Sequence, residues 1–401
     1  MAMLARQGNL APAQTPTASR RALGLIFAIM LLDVMGQLLL APVAPYLVHR
    51  YSDSALMVTL LTVMYAAAQF VAAPLLGTLG DRYGRRRVLL VSVLGSVAGY
   101  VVFGLGGALW VLLLGRLIGG ASGGNISCAA AYIIDISAPA DRTKNLTLVG
   151  MAWGLGLILG PALGAVAGQV SLEAPAFAAA GLSLLSVSLG YSFLPESLPR
   201  ELRKSAPLRA SDLNPLVPIG RMARKPGLGR LLLVLCLFNL AFNGVNNTEP
   251  LFLIDKFAAQ PWQLGLQMVL VGAALAVVQT VFVPPLVRRW GEKRVAAVCL
   301  LAQAALAPVT FLSPLFWLIY PVTVLSRSAS GFVFPTLTTL QVNGVSPQEQ
   351  GTLMGVSAAL GSLMGILGPL WAGVAYDVIL PGAPYWLGAA IYVAAAAVLG
   401  L

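Results

Sequence analysis

The sequence predicts an all-α integral membrane protein in which twelve transmembrane helices form two pseudo-symmetric six-helix bundles. Three observations support this fold class. First, 58% of the 401 residues are hydrophobic and only 10% are charged, whereas soluble globular proteins carry about 25% charged residues. Second, apolar stretches of about 20 residues, the length that crosses a bilayer, recur along the chain. Third, landmarks of the first half return in the second half at a nearly constant offset.

The predicted spans are the apolar stretches in chain order. In the first half they cover approximately residues 22–47, 55–79, 88–106, 108–134, 145–168 and 175–194. In the second half they cover approximately residues 231–254, 263–287, 295–312, 315–340, 351–375 and 384–401. The spans predict an N-terminal bundle over 22–194 and a C-terminal bundle over 230–401.

Two polar segments flank the predicted bundles. Residues 1–21 predict a disordered cytoplasmic tail, because the apolar stretch that follows is too long for a signal peptide. Residues 195–229 are rich in Arg, Lys and Pro and predict a cytoplasmic linker. An amphipathic helix on the membrane surface is one option within that linker.

The distribution of basic residues predicts the orientation. All but four of the 25 Lys and Arg residues fall on one side of the predicted spans, and the exceptions are Arg50, Lys256, Arg116 and Arg327. Because basic loops stay in the cytoplasm, we expect both termini to be cytoplasmic in a multi-pass protein of the cell inner membrane. The net charge of +11 therefore reflects basic residues in the loops on the cytoplasmic side, and a nucleic-acid partner is not expected.

An internal repeat relates the two halves. GTLGDRYGRRRV (77–88) aligns with PPLVRRWGEKRV (284–295), and Gly160-Pro161 in GLILGPALGAVAG (156–168) falls on Gly368-Pro369 in GSLMGILGPLWAG (361–373). In the first alignment Asp81 falls on Arg288 and Arg85 falls on Glu292, so the signs are reversed while the positions are kept. Such a repeat predicts two copies of one six-helix unit related by an axis along the membrane normal.

Three motifs resemble those of the major facilitator superfamily. The loop after the second span, GTLGDRYGRR from Gly77, resembles its signature loop, and GRLIGGASGGN from Gly115 resembles its buried-arginine motif. The fifth span resembles the Gly-Pro motif of the proton antiporter branch, although Thr147 and Ala165 stand where that branch usually has glycine. MLLDVMGQLLLAPVAPYL and WGEKRVA are similar to bacterial drug and tetracycline efflux antiporters. The resemblance covers the whole chain.

The resemblance implies a latch at the cytoplasmic face. Asp81 is expected to accept bonds from Arg85 and from a neighbouring helix N-terminus. Such a latch holds the two halves together in the outward-open state and releases on inward opening. A solvated helix end is the alternative for Asp135. The expected latch residues are Gly77, Asp81, Arg82, Gly84, Arg85, Asp135, Arg288 and Glu292.

Charged residues inside the spans are the candidates for proton coupling. Asp33 lies in the middle of the first span, where a carboxylate is costly and normally faces a cavity. Because burial disfavours its charged form, such a group can exchange protons near neutral pH; a satisfied polar contact is the alternative. The superfamily role of Arg116 is to couple proton binding to helix movement, and bonding to backbone carbonyls is its alternative. Glu249 is either a second titrating site or a residue of the cavity mouth.

Polar residues near these charges are the candidates for the substrate cavity. Asn239, Asn243 and Asn246 precede Glu249 at helical spacing, and such a stripe lines a cavity or bonds across helices. Gln37 and Asn125 are expected to line the same cavity.

The fifth span predicts a tightly packed, bent helix. Gly156, Gly160 and Gly164 lie on one face, which allows close helix contact, and Pro161 permits a bend. In the antiporter branch this motif is linked to closing off leak and setting the export direction. Generic helix packing is the alternative, since a similar pattern recurs in the eleventh span.

Together these features predict a proton-coupled exporter of a small organic molecule, such as a drug or a cell-made siderophore. Where tetracycline exporters carry acidic or histidine residues, this sequence has Gly99, Leu275 and Gln303, which makes tetracycline itself a doubtful substrate. An importer or uniporter of a metabolite or sugar is the alternative. An enzyme is not expected, because no nucleophile, base or metal set is clustered. We expect no cofactor beyond the proton gradient, and a monomer in the bilayer.

Overall fold

The computed structural model describes residues 16–123, 125–138, 141–198, 203, 216–346 and 349–400, which are almost entirely helical and contain no strand. The helices of the first half are α1 (Pro16–Leu39), α2 (Ala44–His49), α3 (Ala55–Tyr83), α4 (Arg85–Leu105), α5 (Leu109–Ser122), α6 (Asn125–Ile136), α7 (Arg142–Ala167) and α8 (Ala174–Phe193). Those that follow are α9 (Leu216–Ala223), α10 (Leu228–Phe257), α11 (Pro261–Val277), α12 (Val283–Trp290), α13 (Glu292–Leu312), α14 (Phe316–Asn343), α15 (Gln350–Val378) and α16 (Ala383–Leu399).

The helices confirm the predicted all-α membrane fold. Within the described ranges, nine helical stretches are long and apolar enough to cross a membrane, and α5 and α16 are shorter apolar helices. A π-helical turn, Val278–Phe282, joins α11 to α12 ahead of a Pro-Pro pair. π-turns inside helices are rare and mark local departures from regular hydrogen bonding.

Two predicted spans are interrupted. The first ends at Leu39 and resumes as α2, because Pro42 in the turn cannot continue a helix interior. The fourth is split between Ser122 and Asn125, at a Gly pair with weak helix propensity.

The predicted disordered tail needs a correction. Helix α1 starts at Pro16, inside the expected tail, and proline suits the first turn of a helix. Residues 1–15 lie outside the described part of the chain.

The helix contacts in one half match those in the other. In the first half α1 packs on α7 and α8, and α4 packs on α5 and α8. In the second half α10 packs in the same way on α15 and α16, and α13 packs on α14 and α16. Contacts of α3 with α15 and of α11 with α7 join the two sets. This pattern is what a two-fold repeat produces.

Helix α9 docks on the second set of helices and is not free on a membrane surface. Its Met222 is buried in a cluster with Leu228 and Leu353. Next to it, Lys225 binds Glu349 at 2.6 Å and, together with the Ser346 hydroxyl, lowers the pKa of Glu349 to about 2. The Glu349 carboxylate therefore stays charged throughout the physiological pH range.

Candidate functional site: buried charges in the interior of the bundle

Asp33 lies in the interior of the bundle. Its side chain is 8% exposed, and Val34 beside it packs on α7. The charge of Asp33 acts on the hydroxyls of Tyr65 and Tyr100, and so does that of Arg116. The guanidinium of Arg116 also lies 4.7 Å from the centroid of the Tyr65 ring, as a cation–π contact. Asp33 and Arg116 are therefore parts of one polar group in the first half.

Glu249 lies in the interior of the second half, where it is ion-paired. Arg327 Nη2 donates to Glu249 Oε2 at 2.5 Å, and both side chains are 8% exposed. On its other side, Arg327 stacks on the ring of Phe242 at 5.0 Å. A small polar cavity adjoins the pair and is lined in part by Thr310, Ser326 and Tyr385. Glu249 is thus a buried residue of the interior, not of an outer mouth.

The asparagines of the predicted stripe differ in their hydrogen-bond partners and in their exposure. Asn239 and Asn243 donate to carbonyls one turn earlier on their own helix, and Asn246 is exposed. Asn247, which the sequence analysis did not select, accepts a bond from Thr62 of α3 at 2.8 Å. Gln37 is half-buried, and the side chain of Asn125 lies outside the described set. A role of these residues in a substrate cavity stays a prediction.

The glycines of α7 bring that helix against α1. A β-carbon at Gly156 would lie 2.5 Å from Val34 Cγ1, and one at Gly160 would lie 2.9 Å from Leu38 Cβ. One at Gly164 would collide with the carbonyl oxygen of Leu39. Helix α7 continues through Pro161, whose carbonyl faces Gly265 of α11 in the other half. The motif therefore lies between Asp33's helix and the interface of the halves.

Five of the predicted latch residues meet at the inner face, defined here as the end with the α3–α4 turn. Arg85 pairs with Asp81, approaches Asp135 at 3.4 Å and donates to the Gly77 carbonyl at 3.2 Å. The turn needs Gly84, whose φ is +103°. Arg82 does not join this cluster; it is exposed and stacks on Tyr83.

The second copy of the latch differs from the first. Arg288 is exposed, and no ion pair joins it to Glu292 in the part of the chain that the structure describes. An exposed pair gains little from closing, so the reversed charges do not form a second cluster in this conformation.

At the opposite, outer face the two halves are joined directly. Asp377, at the end of α15, accepts bonds from the Ser54 hydroxyl at 2.5 Å and from the backbone amides of Ala55 and Leu56 at 2.8 and 3.0 Å. A carboxylate is favoured at these amides because they begin α3, the positive end of a helix dipole. A second bridge runs from the Tyr46 hydroxyl to the carbonyl of Ala259.

The hydrophobic core clusters show the same difference between the outer and the inner face. The outer cluster combines residues of both halves, such as Leu47 and Phe252. Near the inner face, each cluster belongs to one half, and among the described residues no hydrogen bond or ion pair crosses between the halves there. Within the described residues the links between the halves therefore lie at the outer face, and we call this arrangement inward-facing, with inner and outer as defined above.

A membrane-embedded bundle with ion-paired charges in its interior is the architecture of a membrane transporter. The sequence profile of the Major Facilitator Superfamily matches residues 26–369, and the chain belongs to that superfamily.

Relatives cover nearly the full length. The class C tetracycline resistance protein of Escherichia coli is 34% identical over 380 residues, 93% of this chain and 95% of that protein. The class B protein of the same species is 30% identical over 90% of this chain and 89% of its own length.

Solved structures share the fold. The human organic anion transporter MFSD10 (TETRAN) is 26% identical, with a TM-score of 0.71 over 96% of this chain and 100% of its own. A bacterial homologue of the human lysosomal transporter Spinster, in an inward-facing and unoccupied conformation, has a TM-score of 0.73 at 15% identity, over 96% of this chain and 95% of its own. The second likeness concerns the fold alone.

Sequence reasoning missed the partner of Glu249. Arg327 stands out in the sequence as a basic residue inside a predicted span, and an arginine there requires a nearby acceptor. Glu249 stands 78 positions earlier in the chain, so only the packing of α10 against α14 reveals the pair. Asp377 carries no sequence signal, because an acidic residue at a helix end is ordinary.

Proposed function

We propose that this chain exports a small organic molecule in exchange for protons, by exposing a central site alternately to the two sides of the cell inner membrane. Both termini are cytoplasmic, and the proton gradient supplies the energy. The observation that carries the proposal is the burial of two carboxylates inside the bundle. Asp33 lies near the two tyrosines that Arg116 also approaches, and Glu249 is ion-paired with Arg327.

Buried carboxylates suit this task because they can change charge without leaving the bundle. An ionised carboxylate in a low-dielectric interior requires compensation, and a proton or a nearby cation provides it. Losing or gaining a proton therefore changes how strongly each carboxylate holds its neighbours. In a bundle whose halves rock, that change biases one facing over the other.

The resemblance of α7 to the antiporter motif favours export. Its glycines press on α1 next to Asp33, while the Pro161 carbonyl faces α11 of the other half. A helix in this position contacts both the helix that carries Asp33 and a helix of the other half. Its packing therefore responds to the charge of Asp33 and to the side on which the bundle is open.

The substrate is proposed to be a drug-like or cell-made organic molecule other than tetracycline. An acidic side chain has no room at position 99, since a β-carbon there would lie 2.7 Å from the backbone nitrogen of Gly119. The bacterial relatives are named for tetracycline resistance and a structural relative for organic anions. Both compound classes therefore belong in a substrate screen.

Transport in everted membrane vesicles tests the proposal. The probes are a tetracycline, an amphiphilic organic cation and an organic anion, and a pH-sensitive dye follows the proton gradient. We expect at least one probe to accumulate with the gradient and to dissipate it. Asp33→Asn and Glu249→Gln are expected to abolish gradient-driven uptake, because a neutral amide cannot carry a proton.

Asp53→Asn is the matched control for these substitutions. Asp53 lies near the outer face with its side chain 98% exposed, so its loss is expected to leave uptake unchanged. Accumulation that ignores the gradient, together with a harmless Asp33→Asn, would instead assign the chain to facilitated transport or import.

A further inference from the structure

The carboxylate of Glu249 receives more hydrogen bonds than its ion pair alone requires. Gln267 Nε2 donates to Glu249 Oε1 at 3.0 Å, and the Thr323 hydroxyl donates to the same oxygen at 2.7 Å. Gln267 also contacts the Thr323 oxygen, at 3.1 Å, so the two donors support each other. Both side chains are at most 6% exposed. Each bond made to the charged form of a carboxylate stabilises that form.

These donors come from helices with different positions in the bundle. Thr323 and Arg327 lie on α14, which packs on α13 within the second half. Gln267 lies on α11, which packs on α7 of the first half. Two glycines of α11 make this contact close: a β-carbon at Gly265 would lie 3.0 Å from the Pro161 carbonyl, and one at Gly272 would lie 2.9 Å from Ile158.

Gln267 therefore lies between two points at which its helix touches the other half. Rocking of the halves changes this contact between α11 and α7. Gln267 is thus the donor to Glu249 whose own helix is in contact with the other half.

We propose that Gln267, together with Thr323, is a positioning residue that keeps Glu249 charged while the outer face is closed, so that the proton of Glu249 leaves toward the inner side. The proposal rests on the proposed function, in which Glu249 carries a proton. A small cavity adjoins the carboxylate and is lined in part by the hydroxyl-bearing Thr310, Ser326 and Tyr385.

Within the described residues, few charged or titratable groups act on Glu249. The charged or titratable groups that act on it are Arg327 from α14 and Tyr385 and Tyr392 from α16. The polar side chains nearby on α11 and α13, Gln267 and Thr310, are uncharged. A change in the titration of Glu249 after loss of a neutral donor therefore reports that donor and no second charge.

Infrared spectroscopy of the full-length protein in lipid tests this inference without a substrate. The carbonyl stretch of protonated carboxylic acids is followed against pH, and Glu249→Gln identifies the band of Glu249. In Gln267→Met and Thr323→Val, which keep the side-chain volume and remove the donor, we expect the midpoint of this band to move to higher pH. The expected shift is about one to two pH units for each bond lost, because a hydrogen bond to a charged group stabilises that charge.

Two substitutions serve as controls. Thr310→Val removes a hydroxyl that lines the same cavity but donates to its own helix, at 3.1 Å from the Leu306 carbonyl, and is expected to leave the midpoint unchanged. Thr323→Ser keeps the hydroxyl and is expected to restore the wild-type midpoint.

The outcomes separate the inference from the function on which it rests. If Glu249→Gln removes no titrating band, Glu249 carries no proton, and both are overturned. If the band is present but Gln267→Met and Thr323→Val leave its midpoint in place, the positioning role is wrong and the proton role of Glu249 stands.

Discussion

At the residue scale, the Glu249–Arg327 pair depends on being complete. Both side chains are almost fully removed from solvent, and Arg327 is further enclosed by the ring of Phe242. Removing one partner of such a pair leaves the other charge buried without compensation, which is more costly than removing both. Asp33 and Arg116 differ from this pair, because the contact recorded for Arg116 is with an aromatic ring.

The pair predicts an asymmetric response to substitution. We expect Arg327→Met to lower the free energy of unfolding by about 3–5 kcal/mol, because Glu249 is left as an unpaired buried charge. In the double variant Arg327→Met with Glu249→Gln, most of that loss is expected to return. Thermal unfolding in detergent measures both. A double variant no more stable than Arg327→Met alone would show that the two buried charges do not compensate each other.

At the element scale, the close contact of α7 with α1 connects the antiporter motif to Asp33. Three glycines at four-residue spacing face α1, and at Gly164 a β-carbon would collide with backbone, which cannot rotate away. Other glycines on α7 have free space around them, so small residues are required on one face only. The contact thus fixes the distance between the two helices.

Gly164→Ala and Gly154→Ala test this contact on one helix. We expect Gly164→Ala to destabilise the protein by about 1–3 kcal/mol through overpacking and to slow transport. Gly154→Ala is expected to be neutral or slightly stabilising, because nothing lies within 4 Å of a β-carbon there and alanine favours helix. Thermal stability and vesicle uptake are measured on the same preparations. Equal effects of the two substitutions would mean that the glycines reflect generic helix composition.

The helices also show how much of the fold can be predicted from the sequence. Hydropathy located the long helices to within a few residues, because bilayer thickness dictates the length of an apolar stretch. It missed the break after Leu39, since an interrupted span remains apolar throughout. The donors Gln267 and Thr323 escaped prediction because neutral polar residues inside a span carry no signal until tertiary packing places them around a charge.

At the scale of the whole molecule, the outer face is closed by side chains from both halves. The Asp377 carboxylate binds the N-terminus of α3, and the arrangement mirrors the expected latch at the inner face, where an acidic residue of α3 was predicted to bind a helix N-terminus. In this facing the inner cluster of Asp81, Arg85 and Asp135 stays within the first half. Closing one face and releasing the other is what alternating access requires.

The facing itself could not be predicted from the sequence. Both latches are encoded in one chain, and their relative strength depends on which helix ends meet after packing. The landmarks GDRYGRR and WGEKR predicted where the inner latch lies but not that its second copy, at Arg288 and Glu292, would be unpaired. Under the proposed function, linkage between proton binding and facing decides which latch is closed at a given pH.

Pulsed electron paramagnetic resonance measures this linkage directly. Spin labels replace Tyr51 and Leu380, which are exposed at the outer ends of the two halves, in a variant without the native cysteines. Because Glu249 is proposed to be charged while the outer face is closed, we predict that acidification lengthens the label-to-label distance and that the double variant Asp33→Asn with Glu249→Gln abolishes the pH response. A distance that does not change with pH, or a pH response that persists in the double variant, would contradict proton-driven switching.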